Sequence, residues 1–351
     1  MPPVALAAPQ GTEEVTGPSR RRLPRVSPDH FRKLAIVALA VTVLIVATGA
    51  LVRLTGSGLG CPDWPSCYGT RFTAQVSFHP MVEFGNRLVT VLVTIVVGVT
   101  LVASLLRTPR RRDLCWLSLG LVAGVLAQAV LGGIVVYTKL NPYLVMVHFL
   151  ASMVLVANAV VLVHRSSRDY RPGSGNLLVA APILWLSRGM LCLLTVVLAA
   201  GTATTGAGPH AGDAAGQQVA KRIPVALRDM AELHSSLALL LVGLTLALVV
   251  TLHAIDVPER VRRGGRVLIA VMVAQAAVGY SQYFTHLPAA LVEIHVIGAT
   301  ALVAGAVEFH LRLTRHPAET PVVASVSWAG TTTPTTGPHR PAAQDAALSR
   351  R

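Results

Sequence analysis

The sequence predicts an all-α integral membrane protein in which eight transmembrane helices form two parallel-repeat four-helix bundles. Three observations carry that expectation. Hydrophobic residues make up 53% of the 351-residue chain and charged residues only 13%, a balance that suits lipid rather than water. Eight apolar runs, each about 18–26 residues, are long enough to cross a hydrocarbon core of ~30 Å. The chain also contains one stretch twice. Residues 127–157 read AQAVLGGIVVYTKLNPYLVMVHFLASMVLVA, and residues 274–304 read AQAAVGYSQYFTHLPAALVEIHVIGATALVA. Aligned without a gap at an offset of 147, they lay Gln128 on Gln275, Gly132 on Gly279, Thr138 on Thr285 and His148 on His295. A fixed-offset repeat of this length means two similar halves packed together.

In order, the runs lie near 34–53, 81–106, 114–137 and 143–163 in the first half. The second half repeats them near 183–203, 230–254, 267–284 and 290–311. Four helices separate equivalent positions, so both halves cross the membrane in the same sense, about an axis along its normal. The expected organisation is a disordered N-terminus over 1–33, bundles over 34–164 and 183–312, and a disordered tail over 313–351. Both ends are rich in Pro with Ser, Thr, Ala or Arg and lack the composition for a packed core. Residues 1–30 hold no apolar segment of the signal-peptide kind.

Orientation follows from the basic residues. Placing both termini in the cytoplasm puts 23 of the 30 Lys and Arg on that side, as the positive-inside rule requires. The formal charge of +14 is therefore a topology signal. Nucleic-acid binding would want a basic face with interleaved aromatics, and aromatics are only 5% of the chain. Arg outnumbers Lys 27 to 3, which suggests a GC-rich bacterium and a bacterial cell membrane.

The loop after the first run reads LVRLTGSGLGCPDWPSC, from Leu51 to Cys67. Cys61 and Cys67 lie on the outer, oxidising side, where a disulfide can form. Cys115 and Cys192 fall inside helices and read as small core residues. The GSGLG glycines follow no strand and precede no Lys-Ser/Thr, so they read as a turn rather than a phosphate loop. Thr205-Gly206-Ala207-Gly208 is a weaker echo in the matching loop of the second half.

Polar residues inside apolar helices are costly and mark sites. His148 and His295 sit equally deep in the fourth and eighth helices. His234 lies near the outer start of the sixth, and the matching position in the second is Asn86. Two histidines on facing helices of a four-helix bundle can clamp a haem iron from both sides. Zinc would want three or four grouped His, Cys or carboxylate ligands, and the sequence shows no such grouping.

These residues resemble a family. The Gly49–Cys67 stretch, the Glu83–Arg87 segment, His148, His234 and His295 are similar to haem A synthase, a membrane enzyme of cytochrome oxidase assembly, over about residues 34–312. The resemblance implies oxidation of the C8 methyl of haem O to the formyl group of haem A, with a resident haem b (heme b) as cofactor. It implies that His234 and His295 are the axial ligands of haem b in the second half and that His148 is a ligand of the substrate haem in the first. Glu83 stands at the place of the family's catalytic glutamate, and Cys61 and Cys67 at that of its outer-loop cysteine pair. The implied partners are haem O, haem O synthase as its donor and membrane lipid. The electron donor is left unspecified and self-association open.

Asn86 departs from the family, many of whose members have a histidine three residues after the glutamate. Asparagine is a poor iron ligand, which leaves His148 alone in the first half. His79 shares a helical face with Glu83 and Asn86, but seven residues place it ~10 Å outward, so it is a second choice. Glu83 is either ion-paired with Arg87 at i+4 or a carboxylate that moves protons. Arg53, at the outer end of the first helix, suits a haem propionate. Two other classes compete. A dihaem b-type electron-transfer cytochrome would want symmetric histidine pairs, and a transporter would want helices broken near the midplane.

Overall fold

The computed structural model describes residues 25–167, 178–213 and 220–314. All of these belong to one compact unit spanning Met1–Pro317, and a second unit, Ala318–Arg351, lies outside the described residues. The expected disorder of the N-terminus and tail falls largely on 1–24 and 315–351, also outside them.

Among the described residues eight helices follow one another: α1 (Pro28–Leu54), α2 (Phe78–Leu106), α3 (Arg112–Tyr137), α4 (Pro142–Ser166), α5 (Ala181–Ala207), α6 (Leu227–His253), α7 (Glu259–Phe284) and α8 (Ala289–Thr314). All are long and apolar enough to cross a membrane, and the chain is a multi-pass membrane protein. In the first half α1 packs on α2 and α4, and α3 packs between α2 and α4. In the second, α5, α6, α7 and α8 close the same ring. The halves meet through α4 on α8, with α1 on α8 and α4 on α5 as reciprocal contacts. That is the pattern expected about a pseudo-two-fold axis between α4 and α8.

Lipid supplies no hydrophobic drive between helices, so close packing must hold them. Small residues do this at the contacts: Ala35, Ala38, Ala103, Ala159 and Ala306 are buried. Large apolar side chains such as Ile95, Leu126, Val154, Leu240 and Val273 face outward, where the acyl chains would cover them. At the end opposite the disulfide loop, Glu308 of α8 receives His164 of α4 at 3.0 Å and its own neighbour Arg312 at 2.8 Å.

The repeat extends to the backbone. Lys139 and Leu140, between α3 and α4, adopt positive φ of 53° and 61°, and His286 and Leu287 repeat this at 61° and 60°. A left-handed non-glycine residue costs roughly 1–2 kcal/mol, so a run of two in each half needs compensation. The same hydrogen bonds provide it in both: Leu140 N–H donates to the Val135 carbonyl at 2.9 Å, and Leu287 N–H to that of Gln282 at 2.7 Å. Both turns therefore start the next helix at the same height and set His148 and His295 at one depth.

Some boundaries differ from the apolar runs. α1 starts at Pro28 rather than 34, because Ser27 accepts the His30 N–H and Pro28 fits the first turn. α7 starts at Glu259, eight residues before its run. There Glu259 pairs with Arg262 at 3.0 Å and with Arg266, so the polar first turns are satisfied locally and invisible to hydropathy. Thr205 to Ala207 close α5 and are not loop. Neither free cysteine is a core residue. Cys192 is exposed and Cys115 is half-buried, with its thiol on the Ser104 carbonyl.

Candidate functional site

At the start of α4 and α8 the two halves build the same hydrogen bond. Gln128 Nε2 donates to the His148 carbonyl at 2.9 Å, and Gln275 Nε2 donates to the His295 carbonyl at 2.9 Å. One turn along from each glutamine is a glycine: a Cβ on Gly132 would lie 3.5 Å from His148 Cε1, and one on Gly279 would lie 3.3 Å from His295 Cε1. Each glutamine thus holds a histidine's backbone while the glycine leaves room for the ring. Nδ1 of both His148 and His295 is buried without a hydrogen-bond partner. Such orphaned groups cost about 1–3 kcal/mol each, and a bound ion or ligand would relieve that cost.

The second half brings two histidines together. The His234 and His295 rings lie 6.2 Å apart between centroids, at an interplanar angle of 74°. Two imidazoles sharing one metal ion through bonds of ~2 Å would sit about 6 Å apart. His234 Nδ1 donates to the Val197 carbonyl at 3.0 Å, which leaves Nε2 as the basic nitrogen, the tautomer a metal ligand needs. The ring lies against Gly201, where a Cβ would come 2.9 Å from Cε1. Among the described residues no three His, Cys, Asp or Glu converge on a metal position.

The first half differs at the matching place. Asn86 accepts the Thr48 hydroxyl at 2.8 Å, and His79 Nδ1 lies 3.0 Å from Ser57 Oγ in the first turn of α2.

Above it sits the cysteine loop, wound around one guanidinium. Cys61 and Cys67 are disulfide-bonded. Glu83 is buried, with Oε2 accepting the Cys61 N–H at 2.8 Å and Oε1 paired with Arg87 Nη2 at 2.7 Å. Arg87 also donates to the carbonyls of Cys61 (3.1 Å), Asp63 (2.9 Å) and Ser66 (2.9 Å). Gly60 packs on the α2 backbone so closely that a Cβ would sit 2.6 Å from the His79 carbonyl carbon. Trp64 covers Gly133 of α3, and Tyr137 donates to its carbonyl. The ion pair foreseen at i+4 is therefore present and holds the loop. Burying it is tolerable because further hydrogen bonds satisfy both partners.

Arg53 donates to the carbonyls of His210 at 2.8 Å and Thr205 at 3.1 Å. It thereby caps the end of α5 and ties the first half to the second. Gly58 N–H adds a 2.8 Å bond to the Gly212 carbonyl. These long-range roles of Arg53, Arg87 and Thr48 had no local signature. The two glutamines were visible only as aligned letters of the repeat.

Two expected results arise here. In the oxidised protein, Cys61 and Cys67 should resist thiol reagents and become reactive only after reduction. Free labelling without reductant would exclude the disulfide. Gln275→Leu should remove the bond to the His295 carbonyl. The loss of one intramembrane hydrogen bond should cost about 1 kcal/mol, read as a lower melting temperature. An unchanged melting temperature would mean the bond holds nothing.

Comparison with known proteins points one way. The sequence pattern of the family described as cytochrome oxidase assembly protein matches residues 32–307. A heme A synthase of Geobacillus kaustophilus is 39% identical over 108 residues, 30% of this chain and 33% of that protein. One of Geobacillus thermodenitrificans is 40% identical over 109 residues, 30% of this chain and 33% of that protein. One of Lysinibacillus sphaericus is 33% identical over 137 residues, 38% of this chain and 45% of that protein. The chain thus spans a third to under half the length of these relatives.

Proposed function

Because the chain belongs to the cytochrome oxidase assembly protein family, we propose that it is a haem A synthase, oxidising the C8 methyl of haem O to the formyl group of haem A. The observation that carries this reading is the duplicated histidine site: equal depth, the same glutamine bond, and orphaned ring nitrogens in both halves. Relatives bearing the name heme A synthase support it.

His234 and His295 are the proposed axial ligands of a haem b in the second half. When bound there, haem b supplies an iron centre that exchanges electrons singly. Gln275 fixes the backbone of His295 and Val197 the tautomer of His234, so the pair needs little reorganisation to bind. His148 is the proposed ligand of the substrate haem in the first half, with Asn86 across from it and His79 the second choice. Counted against water, converting a methyl to a formyl group releases four protons and four electrons. Glu83 is the group proposed to accept protons. Arg87 and the Cys61 N–H hold it in place, and a carboxylate keeps spare lone pairs beyond those two bonds. Arg53 spends two of its five N–H groups on carbonyls, and the others suit a propionate. The Cys61–Cys67 disulfide shapes the cover over this half.

The arginine-rich end is assigned to the cytoplasm, with both termini there and the disulfide loop on the outer face of a bacterial cell membrane. Haem O would be handed over by haem O synthase. The test is haem extraction from cells lacking and then regaining this gene. Haem A should vanish with haem O accumulating, then return. Undiminished haem A in the deletion strain would overturn the assignment.

A further inference from the structure

At the end opposite the disulfide loop, the turn from α2 to α3 buries a cation. Arg107 caps α2 with 7% of its surface exposed. Its guanidinium donates to the Pro109 carbonyl, while its Nε is sealed from solvent without a partner. The charges acting on it are Arg111, which repels, and Asp113, which attracts. Asp113 is already engaged by Arg111, at 2.6 and 3.1 Å. Burial first, and then Arg111, hold the Arg107 pKa below its ordinary value. A buried charge without its own counter-ion is costly, and the described residues give Arg107 none. The surroundings add further positive charge. Arg110 and Arg112 are exposed on either side of Arg111, and Arg165 of α4 is close enough to act on Asp113. The positive end of α3 faces the same corner, and Arg111 makes no side-chain cap there. Trp116, 71% exposed, sits one turn inside Arg112 on the same face of α3. An exposed tryptophan at a helix end marks the membrane–water interface, which puts Arg112 at the level of the lipid headgroups.

The second half does not repeat this corner. At the offset of 147, buried Leu114, Leu121 and Val125 of α3 fall on buried Val261, Leu268 and Met272 of α7, which lays Glu259 on Arg112. At 148, buried Val93, Val97 and Ser104 of α2 fall on buried Leu241, Thr245 and Leu252 of α6, which lays Ile255 on Arg107. A carboxylate and an apolar residue thus replace two arginines, and Glu259 pairs with Arg262 and Arg266.

We propose that Arg107 and Arg112 form a binding site for the phosphate of an anionic phospholipid, present in the first half and absent from the second. Arginine suits this ligand because its planar fork matches the oxygens of a phosphate. Basic corners between transmembrane helices on the cytoplasmic side are where such headgroups bind. The bilayer is the source that Trp116 favours, since it holds phosphate at this level. The proposal stands apart from the haem reading, because the corner lies at the opposite end of the bundle from the histidines.

The test uses the full-length purified chain in detergent, with bound lipid counted by native mass spectrometry. The probes are phosphatidylglycerol, phosphatidylcholine and inorganic phosphate. The wild type should retain phosphatidylglycerol in preference to phosphatidylcholine. Arg112→Gln should weaken that retention roughly fivefold, as the loss of one charge at a membrane surface implies. Arg107→Gln should weaken it further. Arg260→Gln, at the matching end of the second half, should leave it unchanged. Arg112 is exposed, so its variant reads the site even if Arg107→Gln fails to fold, and a protected disulfide serves as the folding standard. Equal retention by the wild type and Arg112→Gln would overturn the proposal. So would phosphatidylcholine held as firmly as phosphatidylglycerol. Inorganic phosphate that displaces the lipid at equal concentration would make this a site for a free anion and overturn the lipid assignment.

Discussion

Replacing either His234 or His295 by Ala should abolish the low-spin bis-histidine spectrum of the purified protein. The effect should be all-or-none rather than graded. The rings are 6.2 Å apart, each on its own helix, and α6 and α8 are joined within the bundle only through α5 and α7. A single remaining imidazole cannot be replaced by a neighbour. His210, the histidine of the loop after α5, is bonded to the Leu287 carbonyl at 2.9 Å, and His286 lies in the turn before α8. Optical and paramagnetic spectra of the two variants provide the measurement. A normal low-spin haem in either one would remove that residue from the ligand set. Since the pair lies among packed helices, its loss should leave the fold intact, which circular dichroism would verify.

The second large effect is expected in the first half. His148→Ala and Glu83→Ala should each eliminate haem A formation while the second-half haem remains bound. The causes differ. His148→Ala removes the proposed ligand itself. Glu83→Ala leaves Arg87 without its 2.7 Å partner and Cys61 N–H without an acceptor. Arg87 is half-buried and keeps its loop carbonyls, so the main cost is the orphaned Cys61 N–H, about 1–3 kcal/mol. Glu83→Gln separates the two roles, because its amide oxygen can still accept one of these bonds but takes up no proton. Under the proton-handling reading Glu83→Gln retains the loop, seen as a protected disulfide, yet forms no haem A. Normal haem A formation in Glu83→Gln would reduce Glu83 to a loop anchor. His79→Ala should lower activity only modestly. If it removes substrate-haem binding as fully as His148→Ala, His79 is the ligand.

The sequence made the membrane spans and the duplicated histidines legible because both are violations of a background. An imidazole stands out in an apolar run, and a repeat of about 30 residues stands out at any offset. The pairing of Glu83 with Arg87 was also legible, being a contact across one helical turn. The loop carbonyls of Cys61, Asp63 and Ser66 around Arg87 were not, since the chain returns to that guanidinium only after folding. Arg53 is a sharper case. Alone at a helix end it suggests an anionic ligand, yet its bonds go to Thr205 and His210, over 150 positions away in sequence. Thr48 carried no signal at all, because threonine is unremarkable in a membrane helix. Its bond to Asn86 of the neighbouring helix appears only in the fold. The first turns of α7 escaped hydropathy because residues 259–266 are mostly charged, and only the fold shows Glu259 paired with Arg262 and Arg266.

The most direct measurement is product analysis on the purified chain. Loaded with haem b, supplied with haem O and given an electron acceptor, it should yield haem A, identified by the formyl group in mass and absorption spectra. The yield should vanish in His148→Ala. Recovery of haem O unchanged, from a chain that binds it and also holds its second-half haem, would contradict the account and leave an electron-transfer cytochrome in its place.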